Sequence, residues 1–272
     1  MELPEAREWF LNRVDYFAKE QGVACYRQDG AARFAEEPAD RTGITESEHI
    51  EGLYTMWDAI KERHPDMVME GCSGGGRRID LETVSRFHWH QKSDRWYDSE
   101  SDQSSLCGAN LYLPGGTINI PTMATDDYGA WSSFGGQFSL GWDPIDPTFP
   151  MEKARRQIEL YKRIRPLLSG DYYPMTGCAL ENTWVAYQFH RRDLDSGFAL
   201  VFRRSDKERV SYPVSDRFQV QLRGLNPDAT YAVEHKSGGR RQNISGRALM
   251  SGSELVLSKA PSAEMIIYGP NK

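Results

Sequence analysis

The sequence predicts an α/β fold: a partial (β/α)8 TIM-type barrel of about five β/α units, followed by a small antiparallel β-sandwich. Three observations predict it. Up to about residue 168, helical and strand-like segments alternate, which is the rhythm of a parallel sheet. The polar and glycine-rich stretches fall just after the strands, where a β/α barrel carries its catalytic rim. From about residue 183 the segments become short and β-prone, and turns separate them. The expected division is residues 1–178 for the barrel part and 179–272 for the sandwich, with the change near Tyr173–Asn182.

The first segment reads as a helix. Pro4 stands where a first turn tolerates proline, Ala6, Phe10, Val14 and Phe17 recur at helical spacing, and Gly22 is a stop signal. Val23–Tyr26 is a short strand running into Arg27-Gln28-Asp29. Residues 30–45 read as a long loop. A second helix covers about 46–63, with Ile50, Leu53, Tyr54, Trp57 and Ile60 on one face, and Pro65 ends it. The strand Met67–Glu70 leads into Gly71-Cys72-Ser73-Gly74-Gly75-Gly76. A short helix at Leu81–Arg86 precedes a strand at Phe87–Gln91 that ends at Ser93-Asp94. Extended pieces follow near Ile118–Met123 and Gln137–Leu140. A helix spans about 151–168, with Ile158, Tyr161, Ile164 and Leu168 inward. The expected sandwich pieces are Thr183–His190, Gly197–Arg203, Val214–Leu222, Ala229–Glu234, Ala248–Ser251, Glu254–Leu257 and Ala263–Tyr268.

Composition narrows the function. The formal net charge of -6 offers no basic stripe for nucleic acid. Lys236, Arg240 and Arg241 flank Gly238 and Gly239 and read as a solvated hairpin tip. Seven Trp, thirteen Tyr and eleven Phe could stack sugar rings, although core packing explains most of them. Cys25, Cys72, Cys107 and Cys178 include no C-x-x-C pair and are expected to be free thiols. No apolar run reaches transmembrane length, and residues 1–20 do not read as a signal peptide; the compartment is left open.

Two aspartates stand out by position. Asp29 and Asp94 each end a predicted strand, so both project from one rim of a parallel barrel. Glycoside hydrolysis needs such a pair: one carboxylate attacks the anomeric carbon, and the other protonates the departing oxygen and then activates water. A gap of about 5–5.5 Å marks a retaining enzyme. The plain alternative is that each aspartate caps a helix or closes a turn. Arg27, two residues before Asp29, shares its face on a strand, and its charge favours an ionised Asp29. Burial near aromatic residues such as Trp96 is the expected means of keeping Asp94 protonated.

Other groups compete. The glycine run lacks the Lys-Ser/Thr ending of a phosphate loop. His88 and His90 alternate on one strand, and with Asp94 they suggest a metal-dependent hydrolase; polar packing is the commoner role of such a pair. Glu70 and Asp80 are alternative carboxylates, and Glu70 is a candidate partner for Arg77 or Arg78. Asn243-Ile244-Ser245 matches a glycosylation sequon.

The stretch from Pro4-Glu5-Ala6-Arg7 to Arg27-Gln28-Asp29 resembles the approach to the nucleophile in glycoside hydrolase family 36, the melibiase-type α-galactosidases. Glu70 through Asp80, with Cys72-Ser73-Gly74-Gly75-Gly76 at its heart, is similar to that family's Cys-Ser-Gly-Gly-Gly segment. Gln91-Lys92-Ser93-Asp94 resembles its Ser-Asp acid/base motif. The resemblance implies a retaining α-galactosidase-like enzyme, with Asp29 as nucleophile and Asp94 as acid/base. It implies substrate contacts from Arg27, Cys72, Ser73, Gly74 and Trp96, with Cys72 and Gly74 near the sugar 2-hydroxyl. The implied substrate is a terminal α-galactoside or α-N-acetylgalactosaminide, and no cofactor or metal is implied.

The family carries Asn two residues beyond the nucleophile; here that position is Ala31. The Asp29 strand would be the fourth of eight, so the first three β/α units and an N-terminal β domain are expected to lie outside this chain. An opened barrel exposes a strand edge. The expected outcomes are a fragment of a longer protein, a homo-oligomer or separate N-terminal polypeptide covering that edge, or a non-catalytic carbohydrate-binding remnant. Neither a nucleic-acid nor a membrane partner is expected.

Overall fold

The computed structural model describes residues 1–30, 39, 43–205 and 215–271. Ala31, most of the expected loop 30–45, and Val214 lie outside the described residues. The chain divides into two compact units, Met1–Asp94 and Arg95–Lys272.

The first unit alternates helix and strand: α1 (Pro4–Gln21), β1 (Cys25–Gln28), α2 (Ile44–Arg63), β2 (Val68–Gly71), α3 (Leu81–Val84) and β3 (Trp89–Gln91). Pro4 opens α1, and Gly22 closes it in the left-handed region at φ 67°, a conformation that costs glycine little. Asp80 caps α3 by accepting the Thr83 amide at 2.9 Å, so this candidate carboxylate serves as a helix cap. β1 pairs parallel with β2, placing Arg27 opposite Glu70. β2 pairs parallel with β3, placing Gly71 opposite His90. One face of this sheet packs Met69 against Leu11 and Val14 of α1 and Leu53, Met56, Trp57 and Ile60 of α2. The expected inward Ile50 is 38% exposed, and Met56 joins the buried stripe.

The second unit opens with α4 (Ser99–Ala109), β4 (Ile118–Thr122), α5 (Asp127–Trp131), β5 (Gln137–Leu140) and α6 (Met151–Ile164), followed by a 3-10 turn over Arg165–Ser169. β4 and β5 pair parallel. The α-helix stops before the expected residue 168 because Pro166 supplies no N–H for the ladder. Among the described residues eight further strands follow: β6 (Asp171–Pro174), β7 (Trp184–Arg191), β8 (Ser196–Arg203), β9 (Arg217–Val220), β10 (Thr230–His235), β11 (Arg241–Ser245), β12 (Ser253–Val256) and β13 (Ser262–Pro270). Six of them form a sheet in the order β11-β10-β13-β8-β7-β6, and β9 pairs with β12. Every pairing among them is antiparallel.

That six-stranded sheet is covered on both faces. Tyr187, Phe189, Phe198, Leu200 and Phe202 pack on Trp131, Phe134, Tyr161 and Ile164 of the β/α elements. Ala186, Ala199 and Val201 pack on Val220, Leu222 and Leu249. Central strands buried on both faces lose the apolar–polar alternation of a half-exposed strand. One core therefore joins residues on both sides of Cys178.

Two expectations are corrected here. Ala248–Ser251 is not extended. It lies in α7 (Gly246–Ser251), which Ser245 caps by accepting the Ala248 amide at 3.2 Å and which Gly252 ends at φ 95°. The cysteines are not all free either: Cys107 and Cys178 form a disulfide, while Cys25 and Cys72 remain thiols. Their separation of 71 residues hid the pair, because tertiary folding rather than local spacing brings α4 to the segment after β6. The Lys236–Arg240 stretch does join β10 to β11, as the hairpin reading expected. Among the described residues no helix is long and apolar enough to cross a membrane.

The disulfide predicts a thiol count and a stability change. The denatured, unreduced chain should titrate two thiols with Ellman's reagent, and four after reduction. A cross-link over 71 residues is worth about 4 kcal/mol in the chain-entropy model. The C107S/C178S pair should lower the urea unfolding free energy by about 2–4 kcal/mol; an unchanged midpoint would contradict a native cross-link.

Candidate active site

All three strands of the first unit run the same way, so their C-terminal ends share one edge. Asp29 follows β1, the Cys72–Gly76 turn follows β2, and Asp94 follows β3. Side chains alternate on strands. Arg27, Glu70 and Gln91 therefore point away from the helix-packed face that holds Met69.

Arg27 is the hub of that polar face. Its Nη1 pairs with Glu70 Oε1 at 3.0 Å, and its Nη2 lies 3.7 Å from Asp29 Oδ2. Nη2 also donates to Gln91 Oε1. The Gln91 amide in turn donates to Asp94 Oδ1 at 2.8 Å and to the Ser93 carbonyl at 3.1 Å. A continuous polar path thus runs from Asp29 through Arg27 and Gln91 to Asp94. The expected partner of Glu70 was Arg77 or Arg78; the parallel register delivers Arg27 instead.

The glycine turn touches both aspartates. Gly74 donates its amide to Asp29 Oδ1 at 3.0 Å, beside the Gly30 amide at 2.6 Å. Gly74, Gly75 and Gly76 all have positive φ, at 54°, 82° and 86°. A Cβ on Gly75 would sit 2.8 Å from the Asp94 amide and 3.0 Å from its Oδ2, and one on Gly76 only 2.3 Å from the Lys92 carbonyl. The turn must be glycine both for its dihedrals and for its closeness to residues 92–94.

Asp29 is held well below the ordinary carboxylate value, from 3.8 to about 2. The Gly30 amide is the largest cause, followed by the Gly74 amide and the Cys72 thiol, while the Arg27 charge contributes least. The sequence assigned this role to Arg27. Because Arg27 spends its close geometry on Glu70, backbone donors do more. Cys72 is 2% exposed, and Ser73 is buried with its hydroxyl 3.4 Å from the Gly30 carbonyl.

Asp94 departs from expectation, since its side chain is exposed rather than buried. Trp96 falls in the second unit and is 42% exposed. His88 Nδ1 accepts the Met69 amide at 2.9 Å, and His90 is buried against Phe87 with ring centroids 5.4 Å apart. Among the described residues no group of three or more His, Cys, Asp or Glu is placed to hold a metal ion.

Sequence reasoning passed over two neighbours of this site. Gln91 was visible only as part of a motif, and its link between Arg27 and Asp94 depends on register. Arg78 donates to the Gly30 carbonyl at 3.1 Å and lies 5.9 Å from the Trp57 ring centroid. Its Nη1 is buried with no hydrogen-bond partner among the described residues. An idle buried donor costs about 1–3 kcal/mol.

Over 99% of its length the chain has the fold of glycoside hydrolase family 36 α-galactosidases. It matches the α-galactosidase AgaA of Geobacillus stearothermophilus with a TM-score of 0.83 at 20% identity, covering 39% of that chain. It matches the galactosidase domain of the α-galactosidase–sucrose kinase AgaSK with a TM-score of 0.79 at 21% identity, covering 38%. Variants of AgaA have been crystallised with raffinose and with stachyose. The curated sequence relatives are α-galactosidases too. Alpha-galactosidase C of Emericella nidulans is 25% identical over 248 residues, 85% of this chain and 31% of the relative. Alpha-galactosidase 1 of Pediococcus pentosaceus is 25% identical over 232 residues, 80% of this chain and 29% of the relative. The chain thus spans about a third of the length of these relatives. No protein-family model matches it.

Two outcomes follow from the site geometry. Asp29 has a depressed value in the fold, so its stabilising contribution is present above its ordinary 3.8 and is lost as pH falls toward about 2. A carboxyl-carbon NMR titration should place its midpoint near 2; a midpoint at the ordinary value would contradict the two amide bonds. Gly76→Ala should destabilise the chain by about 2–4 kcal/mol, from left-handed strain plus overpacking, read as a fall in the urea midpoint.

Proposed function

We propose that this chain carries the catalytic carboxylates of a retaining α-galactosidase-like glycoside hydrolase. Asp29 is the nucleophile and Asp94 the acid/base. The observation that carries this reading is that one glycine turn bears on both aspartates, through the Gly74 amide to Asp29 and through the Gly75 backbone against Asp94. The α-galactosidase relatives support the same reading.

The chemistry follows from the contacts. Oδ1 of Asp29 takes both backbone amides, and Oδ2 is the oxygen that attacks the anomeric carbon. As that bond forms, the glycosidic C–O bond breaks, and Asp94 gives its proton to the departing oxygen. In the second step the Asp94 carboxylate takes a proton from water, whose oxygen attacks the anomeric carbon and releases Asp29. Two inversions give net retention. Arg27 lies 3.7 Å from Asp29 and stabilises the carboxylate as it is regenerated. Cys72, Ser73 and Gly74 are the proposed contacts near the sugar 2-hydroxyl, with Arg27 and Trp96 completing the proposed substrate set. The proposed modules are residues 1–178, barrel-derived, and 179–272, sandwich. The substrate class is a terminal α-galactoside, with α-N-acetylgalactosaminide as the variant at the 2-position.

A second reading is favoured by the chain's coverage of only about a third of its relatives: it binds the sugar and turns over only with a further polypeptide. Hydrolysis of an aryl α-galactoside and of raffinose separates the two. Under the first reading the chain alone hydrolyses both, with the α-anomer released first by NMR, and Asp29→Asn abolishes turnover. Asp94→Asn should slow raffinose by about 10²–10⁴-fold and the aryl substrate less, because a good leaving group needs little protonation. Binding of 1-deoxygalactonojirimycin by calorimetry without turnover supports the second reading. Neither binding nor turnover would overturn both.

A further inference from the structure

The segment that supplies the glycine turn also supplies Arg78. Its Nη2 donates to the Gly30 carbonyl at 3.1 Å. Gly30 is the residue whose amide bonds Asp29 Oδ1 at 2.6 Å, and it sits at φ 79°. Asp29 and Gly30 are therefore held by the two ends of one loop. Gly74 bonds the same carboxylate oxygen that Gly30 bonds, and Arg78 holds the Gly30 carbonyl. The grip is itself anchored: the guanidinium lies over Trp57 of α2. The Trp57 indole reaches Gln28 Oε1 at 3.5 Å, and the Gln28 amide donates to the Asp29 carbonyl at 2.9 Å.

We propose that Arg78 is a positioning residue for the nucleophile: by holding the Gly30 carbonyl it fixes the left-handed backbone of Gly30, so that the N–H on the other side of that residue stays on the Asp29 carboxylate. The proposal rests on the reading of Asp29 as nucleophile, but the geometry it asserts is independent of turnover. A guanidinium suits the task because it is planar and always charged, and it stacks on an aromatic face while donating sideways. With its carbonyl released, Gly30 is free to change its backbone dihedrals and draw its N–H, the first donor, off Asp29, and a misplaced nucleophile attacks slowly.

Among the described residues, the charged and titratable groups around the pair are these. Asp29 faces Arg27 of β1 and Cys72 of the turn. Arg78 faces Cys72, Asp29, Tyr26 of β1, and Tyr54 and His49 of α2. Among the described residues the Gly30 carbonyl takes the Ser73 hydroxyl at 3.4 Å and the charged Arg78 donor at 3.1 Å, so removing Arg78 takes away its shorter and charged bond.

The test compares Arg78→Lys, Arg78→Gln and the unchanged chain. The first readout is the carboxyl-carbon titration of Asp29, which needs no activity. Arg78→Gln should raise the midpoint by about one unit as the Gly30 bond weakens, and Arg78→Lys should restore most of the difference. The second readout is kinetic, on an aryl α-galactoside. Arg78→Gln should lower kcat by roughly tenfold to a hundredfold with little change in KM, and it should move the acidic limb of the pH profile upward. Circular dichroism distinguishes a misfolded variant, and Arg78→Lys then carries the test. An unmoved Asp29 midpoint in a folded Arg78→Gln chain overturns the proposal. A moved midpoint in a chain that never turns over sustains it and counts against the glycosidase reading alone.

Discussion

The site depends on how one guanidinium is shared. Arg27 stands within reach of two carboxylates, Asp29 and Glu70, and it is closer to Glu70, at 3.0 Å against 3.7 Å. Glu70 is 9% exposed, and a buried carboxylate needs a charged partner far more than a half-exposed one does. Asp29, with 51% of its side chain accessible, can be held by backbone amides and water. The division of labour follows from burial. Glu70 neutralises Arg27, and Asp29 is ionised without being locked into a tight ion pair, as the nucleophile role proposed for it requires.

That arrangement could not be read from spacing alone. The alternation rule placed Arg27 and Asp29 on one face correctly, because it needs only the strand period. The partner of Glu70 needed the register between β1 and β2, which pairs Arg27 with Glu70 across the sheet. The same limit hid Gln91, whose side-chain oxygen meets Arg27 only because β1, β2 and β3 lie parallel side by side. The glycine run was the strongest local signal, since three consecutive positive φ values demand glycine whatever surrounds them. What it could not reveal was the neighbour: Gly75 and Gly76 are crowded by residues 92–94, from a strand that arrives later in the chain.

Element types were more legible than their limits and companions. α1 carried proline at its start and glycine at its end, both with local causes, and it was placed well. α4 was missed because Ser99–Ala109 has no strong apolar stripe. It is set by its Asp98 cap, which accepts the Ser101 amide at 3.0 Å, and by the burial of Leu106 and Cys107. The disulfide is non-local in the same sense. β7 and β8 were found as strands, but their buried runs gave no hint that one face would meet helices and the other a second sheet.

The electrostatics of the two aspartates argue for backbone over side chain as the controlling element. A charged side chain can swing toward another partner, as Arg27 does toward Glu70, and its effect on Asp29 is correspondingly small. An amide fixed in a turn has no such freedom, and its dipole is oriented before any substrate arrives. Gly30 and Gly74 supply two of these to one oxygen of Asp29. Asp94 Oδ1 takes a side-chain amide from Gln91, and the Asp94 side chain is exposed. A nucleophile must stay charged and still, whereas an acid/base must exchange a proton with leaving group and water, so rigid donors on Asp29 and a solvent-facing Asp94 are consistent with the roles proposed for them in a double displacement.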